Sequence, residues 1–202
     1  MTPEETGTRY DAVFATAPPV LQTPRVVVRP FVASDGPDIE RLAGNFEVAR
    51  TLLAMPHPYP VGAAAEWIAR HPELWQERKE LPLAVCRRDQ QGALVGAIAL
   101  RFALEHHHGE VGYWIGRDSW GQGIASEATH VLLDWGFREL GLHRIYARHM
   151  VENPASGGVM RKNGMQLEGT LREHHWKHGR PFDFHLWGIL RDEYLTRNPE
   201  GA

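Results

Sequence analysis

The 202-residue sequence predicts a mixed α/β (α+β) fold, with helices flanking one central, mostly antiparallel sheet. Three observations predict it. Residues 25–31 form a β-branched run that ends at Pro30 and Phe31. Between Leu83 and Ile115 short apolar runs alternate with turn residues, as in an antiparallel meander. Beyond them Ile124, Ala128, Val131, Leu132 and Trp135 recur at helical spacing, so the period changes from 2 to about 3.6.

Taken in order, residues 1–23 carry Pro3, Gly7, Pro18 and Pro19 with weak periodicity and predict an irregular N-terminal arm. The domain proper is expected over residues 24–196, with a tail at 197–202. After the strand at 25–31, Ser34 or Asp35 caps a helical stretch running to about Leu53. Gly44 and Asn45 break that stretch into two short helices. Pro56, Pro58 and Pro60 exclude helix, and a second helical stretch follows from about Gly62 to Lys79, kinked at Pro72. The meander comprises residues 83–88, a turn at 89–92, residues 94–100, a His-rich loop and residues 110–115. The amphipathic helix from Ile124 ends near Gly141. A strand over residues 143–149, a short helix over 155–162 closed by Gly164, and a hairpin around His178 and Gly179 complete the chain.

Composition narrows the function. Hydrophobic residues make up 43% and charged residues 23%, which excludes disorder of the whole chain. The formal net charge of −3 and the lack of a basic run give nothing to hold a nucleic acid. The acidic N-terminus lacks a signal-peptide core, and no apolar run reaches the roughly 18 residues of a membrane span. Cys86, the single cysteine, cannot form an internal disulfide, so the expected location is the cytoplasm.

The turn Ser119, Trp120, Gly121, Gln122, Gly123 followed by Ile124, Ala125 and Ser126 links a strand to a helix. There, unpaired amides and the helix dipole make an anion site. It is not a Walker A loop, because no Lys follows Gly123. A dinucleotide fingerprint also fails: it needs a parallel unit and an acidic residue about 20 positions on. Taken alone, the turn could still be a plain glycine turn.

With three further motifs it becomes specific. Residues 110–115 (Glu110, Val111, Gly112, Tyr113, Trp114, Ile115), the turn at 120–128, the Asn153, Pro154, Ala155, Ser156 motif, and residues 161–165 with the closing hairpin resemble the GNAT superfamily of N-acetyltransferases. Within it the pattern is most similar to the RimJ/RimL (ribosomal-protein N-terminal acetyltransferase) type. The resemblance covers about Thr23 to Leu195 and implies that the sheet is splayed. It implies acetyl-CoA as acetyl donor, its pyrophosphate wrapped by a Gln/Arg-x-x-Gly-x-Gly/Ala turn that maps to Trp120, Gly123 and Ala125. Trp120 departs from the general first position. The resemblance also implies that pantetheine lies in a slot between residues 110–115 and 144–149, with Gly112 and Gly116 suiting the break in pairing. A backbone N–H near Trp114 or Ile115 would be the oxyanion donor. Asn153 would hydrogen-bond the pantetheine, and Ser156 would protonate the departing thiolate; either could instead cap the following helix. Glu110 would be the base, directly or through water, or only a strand-end charge.

The implied function is direct acetyl transfer to a primary amine, on a peptide or ribosomal-protein N-terminus or a small molecule, through a ternary complex. The alternative is a non-catalytic acyl-CoA-binding sensor or partner-binding module. No metal is expected: His106, His107 and His108 are adjacent and point apart. His174, His175, His178 and His185 flank the last hairpin, where His174 or His175 could take a proton or bind a carboxylate. The sequence leaves a homodimer open.

Overall fold

A computed structural model of the chain describes residues 3–177 and 179–199, so His178 and the ends of the arm and tail lie outside the described residues. Among the described residues eight strands form one sheet: β1 (Leu21–Gln22), β2 (Val26–Arg29), β3 (Glu80–Arg87), β4 (Ala93–Ala103), β5 (His108–Ile115), β6 (Arg144–Met150), β7 (Gln166–Lys177) and β8 (Arg180–Leu190). Their order is β1-β2-β3-β4-β5-β6-β8-β7. Every neighbouring pair is antiparallel except β5 and β6, which are parallel.

The helices are α1 (Pro3–Phe14), α2 (Gly36–Ala43), α3 (Phe46–Ala49), α4 (Ala63–Ala69), α5 (His71–Gln76), α6 (Ile124–Arg138), α7 (Pro154–Lys162) and α8 (Arg191–Arg197). They cover both faces of the sheet, which explains why residues 81–86 of β3 are apolar at every position and all buried. Leu81, Leu83 and Val85 pack in one core with Leu132, Leu133 and Phe137 of α6. Ala84 and Cys86 point the other way, into a second core with Ile39 and Ala43 of α2 and Ile68 of α4. The α6 stripe follows the expected pattern, with Ile124, Ala128, Leu132 and Trp135 buried. Gly141, at φ 78°, turns the chain after α6. Among the described residues no helix is long and apolar enough to cross a membrane.

The N-terminal arm differs from expectation: residues 3–14 are helical, and β1 pairs with β2. Neither element carries a strong local signal; tertiary anchors stabilise α1. Tyr10 and Phe14, one turn apart, face the core, where the Tyr10 hydroxyl meets His107 Nδ1 at 2.8 Å and Phe14 stacks 4.6 Å from Trp75. Helix α8 was also not anticipated. Glu193 Oε2 accepts from the Leu190 N–H at 3.0 Å, and the fully buried Tyr194 donates to Asp134 at 3.2 Å. The edge strand β7 is broken twice by register shifts, between Leu167 and Gly169 and between Leu171 and His175, with Glu173 at φ 50°.

A half-buried ion pair ties β2 to the turn before α2. Arg29 donates to both Asp35 oxygens at 2.8 Å, and the Val32 N–H donates to Oδ2 at 2.8 Å. Burial alone would raise the Asp35 carboxyl, but these donors outweigh it and hold the group below its ordinary value of 3.8. A depressed folded-state value contributes stability that is present above the unfolded value and lost as pH falls through the folded one. Asp35→Asn should therefore cost about 2 kcal/mol at pH 7 and flatten the decline of stability below about pH 4, measured by denaturant titration across pH.

Candidate active site

The site begins where β5 and β6 part. They pair at only three positions, His108 with Arg144, Gly109 with Ile145 and Glu110 with Tyr146. Beyond Glu110 each strand keeps its outer neighbour: β5 stays with β4 as far as Ile115 opposite Gly96, and β6 stays with β8 as far as Met150 opposite Phe184. The gap opens into a cleft of about 1000 Å³. The splayed sheet expected from the motifs is therefore present.

Strand alternation assigns the backbone groups that face the gap. The Gly116 N–H bonds Val95 O at 2.8 Å, across to β4, so the Trp114 amide points the same way. Tyr113 and Ile115 turn their backbone groups toward the gap instead. Of the two positions expected, Trp114 and Ile115, it is Ile115 that turns its backbone away from β4; Trp114 lines the cleft and packs beside the second core with Met55, Tyr59 and Trp67. A Cβ at Gly116 would sit 2.7 Å from Leu42 Cδ2, so any side chain there would have to displace the end of that leucine.

Trp120 closes one end of the gap. Its indole N–H donates to Ile115 O at 2.6 Å, so the aromatic at this unusual position braces the turn against β5. Gly121 and Gly123 have φ of 73° and 80°, values that favour glycine, and bring the chain into α6. The first intrahelical amide bond is Glu127 N–H to Gly123 O, at 3.1 Å. The preceding amides of Ile124, Ala125 and Ser126 belong to the first turn, where a helix has no carbonyl to offer them. Arg25 supports the turn from behind, bonding Gln122 O at 2.8 Å and Glu127 Oε1 at 2.7 Å.

Trp120, Gly121, Gly123, Ile124, Ala125 and Ser126 all line the cleft, whereas Gln122 does not. The Gln122 side chain bonds Asp118 O at 2.9 Å and receives Arg87, so it fastens the loop on the far side.

Across the cleft stands α7. Asn153 makes no side-chain cap bond to the helix. Its Nδ2 donates instead to Ser156 Oγ at 3.2 Å, and the Tyr113 hydroxyl donates to the same oxygen at 3.1 Å. Tyr113 was not singled out from the sequence as a functional side chain, although it stands in a quoted motif; only the fold brings it to Ser156. Gly157 is glycine because a Cβ would lie 3.0 Å from His149 Nε2. His149 is buried and locked: Nδ1 donates to Met150 O at 2.8 Å, and Nε2 accepts from the Trp187 indole at 3.0 Å. Burial lowers its pKa, so it is a neutral wall of the site.

Glu110 lies at the crotch of the fork with both oxygens held by Arg148, at 3.0 and 3.1 Å. Arg148 also donates to His174 Nε2 at 2.9 Å. His175 Nδ1 is buried and has no partner among the described residues, and burial lowers its pKa. No group of three or more metal-ligating side chains occurs among the described residues.

This geometry coincides with the comparisons to known proteins. The family model described as "Acetyltransferase (GNAT) domain" matches residues 25–166. The chain belongs to the GNAT acetyltransferase family. As a GNAT protein it is an N-acetyltransferase, and the enzymes of this family use acetyl-CoA. It is 32% identical over 174 residues to the uncharacterized N-acetyltransferase YoaA of Bacillus subtilis, covering 86% of this chain and 97% of that one. It is 32% identical over 111 residues to the spermidine N(1)-acetyltransferase of Vibrio cholerae, covering 54% of this chain and 64% of the relative. The structure of RimL, the ribosomal L7/L12 alpha-N-protein acetyltransferase, in complex with coenzyme A superposes with a TM-score of 0.79. It covers 87% of this chain and 99% of that one at 18% identity, a likeness of fold.

The bracing role of Trp120 makes a stability prediction. Trp120→Phe keeps the ring but leaves the Ile115 carbonyl without its indole donor. The GNAT domain should lose about 1 kcal/mol in denaturant unfolding, with far-ultraviolet circular dichroism unchanged.

Proposed function

We propose that the protein transfers an acetyl group from acetyl-CoA to a primary amine within one ternary complex, without an acyl-enzyme. The observation that carries this reading is the fork. It opens the backbone of Tyr113 and Ile115 into the same cleft as the first-turn amides of α6 and the Ser156 hydroxyl. These groups fit the donor: a diphosphate needs several converging N–H groups, and an amide-bearing pantetheine needs unpaired strand backbone.

Acetyl-CoA, when bound, supplies an activated acetyl thioester. On this reading the amides of Ile124, Ala125 and Ser126, with the turn at Gly121 and Gly123, hold the diphosphate. Asn153 and the slot face of β5 hold the pantetheine, and the Ile115 N–H polarises the acetyl oxygen. Ser156 delivers its hydrogen to the departing sulfur. Glu110 receives the proton of the incoming amine through water, its carboxylate oriented by Arg148. Cys86 has no place in this chemistry: it is buried in the second core, and burial pushes its thiol up. That free thiol also suits a reducing, cytoplasmic setting.

For the acceptor, we favour a peptide N-terminus, a ribosomal protein's included, over a polyamine. Among the described residues three carboxylates line the cleft, Glu80, Glu110 and Glu152, and each is paired with an arginine: Arg101 at 3.3 Å, Arg148 at 2.9 Å and Arg180 at 2.9 Å. Arg70 and Lys162 add further positive charge to the lining, and Arg50, which also lines it, is paired with Glu47 at 3.0 Å. A polycation would find no free carboxylate there.

Mass-spectrometric acetylation of a panel of peptides, spermidine and aminoglycosides tests the whole reading. The expected result is turnover on peptide N-termini ahead of polyamines; binding of CoA with no turnover on any amine would leave a sensor or binding module instead. Gly123→Glu puts a charge on the turn, with a Cβ 2.9 Å from the Arg25 guanidinium. It should raise the acetyl-CoA Kd at least tenfold, about 1.4 kcal/mol, by calorimetry on the folded variant. Glu110→Gln keeps the size of the side chain but cannot take a proton. If Glu110 is the base, kcat should fall by about 100-fold and the rising limb of kcat/KM against pH should vanish or move. Activity within about threefold of wild type, with the same limb, would assign the proton to solvent and leave Glu110 as the partner of Arg148.

A further inference from the structure

A serine hydroxyl has one hydrogen to give and two lone pairs with which to receive. At Ser156 both lone pairs are taken, by the Tyr113 hydroxyl at 3.1 Å and by Asn153 Nδ2 at 3.2 Å. Neither partner lets the hydrogen point back, because each uses its own hydrogen in the contact. Ser156 lines the cleft, so its O–H is left directed there.

We infer that Tyr113 is a positioning residue for acetyl transfer, a fixed donor that keeps the Ser156 hydrogen aimed at the thioester sulfur. This rests on the reading of Ser156 given above. The two residues come from opposite walls of the cleft: Tyr113 lies on β5 three positions past the last pair of the fork, and Ser156 lies in the first turn of α7. A donor suits the task only if it never becomes an acceptor. Burial raises the Tyr113 phenol to about 12 and outweighs the lowering by the Ser156 contact, so it stays protonated at any working pH. The asparagine amide is likewise a permanent donor at its Nδ2.

The step balances without a further reactant. The acceptor nitrogen forms the new C–N bond and sheds its extra proton through water to Glu110. The C–S bond breaks with its electron pair on sulfur, sulfur takes the hydrogen of Ser156, and water restores that hydrogen. Tyr113 keeps its proton throughout.

The test is a double-mutant cycle of Tyr113→Phe and Ser156→Ala, read by kcat, by the KM for acetyl-CoA and by the thiol titration of bound CoA, followed through its ultraviolet thiolate absorbance. Melting curves that match wild type establish that the variants fold. Tyr113→Phe should lower kcat about tenfold with the KM for acetyl-CoA within about twofold, and should raise the pH at which bound CoA ionises. In the Ser156→Ala background the same change should cost less than about twofold, because the hydroxyl it serves is gone. Additive losses in the double variant would overturn the inference and make Tyr113 a structural tie between β5 and α7. So would an unchanged kcat and thiol titration in Tyr113→Phe while Ser156→Ala is impaired. If Ser156→Ala alone turns over normally and leaves the titration unmoved, the Ser156 reading itself fails, a result distinct from both.

Discussion

The structure depends on the pairing that β5 and β6 give up. A strand pair usually continues until a turn or a proline stops it, because an unpaired backbone group shut away from water costs about 1–3 kcal/mol. Here the pair stops in mid-sheet after Glu110, although both strands run on. That is tolerable because each strand is held on its other side, by β4 and by β8, and because the gap is open enough to be wet. The released groups remain as hydrogen-bonding surface, and the Ile115 carbonyl is already met by Trp120.

The rest of the site is arranged around that gap. Helix α6 delivers its N-terminus to one end through two glycines in the left-handed region, and α7 brings Asn153 and Ser156 to the other wall. The surrounding charges are mostly matched. Glu110 with Arg148 and Arg25 with Glu127 fasten the fork and the turn without leaving a lone buried ion. His149 shows the same economy, with both ring nitrogens committed to neighbours and its ring filling the space that Gly157 leaves.

Much of this was legible in the sequence, for physical reasons. Helix α6 shows in its apolar spacing because one face packs on the sheet, and the meander shows because turn residues punctuate it. The gap was implied by the resemblance to the GNAT superfamily, which the glycine turn, Asn153 and Ser156 carry because each has a local signature. Less legible were features made by distant contacts. Helix α1 stands on Tyr10, which reaches His107 97 positions away, and on Phe14 packed against Trp75, and α8 is capped by Glu193 from a Leu190 N-cap that no capping rule would choose. Strand parity, which chooses Ile115 over Trp114 and adds Tyr113, needs the register with β4. The meeting of Tyr113 with Ser156 spans 43 residues and follows from no pattern.

The two borders of the sheet are unequal in length but alike in effect. On one side β1 is two residues long. On the other, β7 is twelve residues long, yet it is interrupted by two register shifts and by a left-handed Glu173, and Arg172, Glu173 and His174 are exposed along it. A long flat border would offer a ladder of unpaired amides and carbonyls to any extended chain, including another copy of the protein. Bent and charged, this border is a poor template. Strand-by-strand growth of the sheet is therefore discouraged at both ends, and association between copies would have to use side-chain surfaces instead.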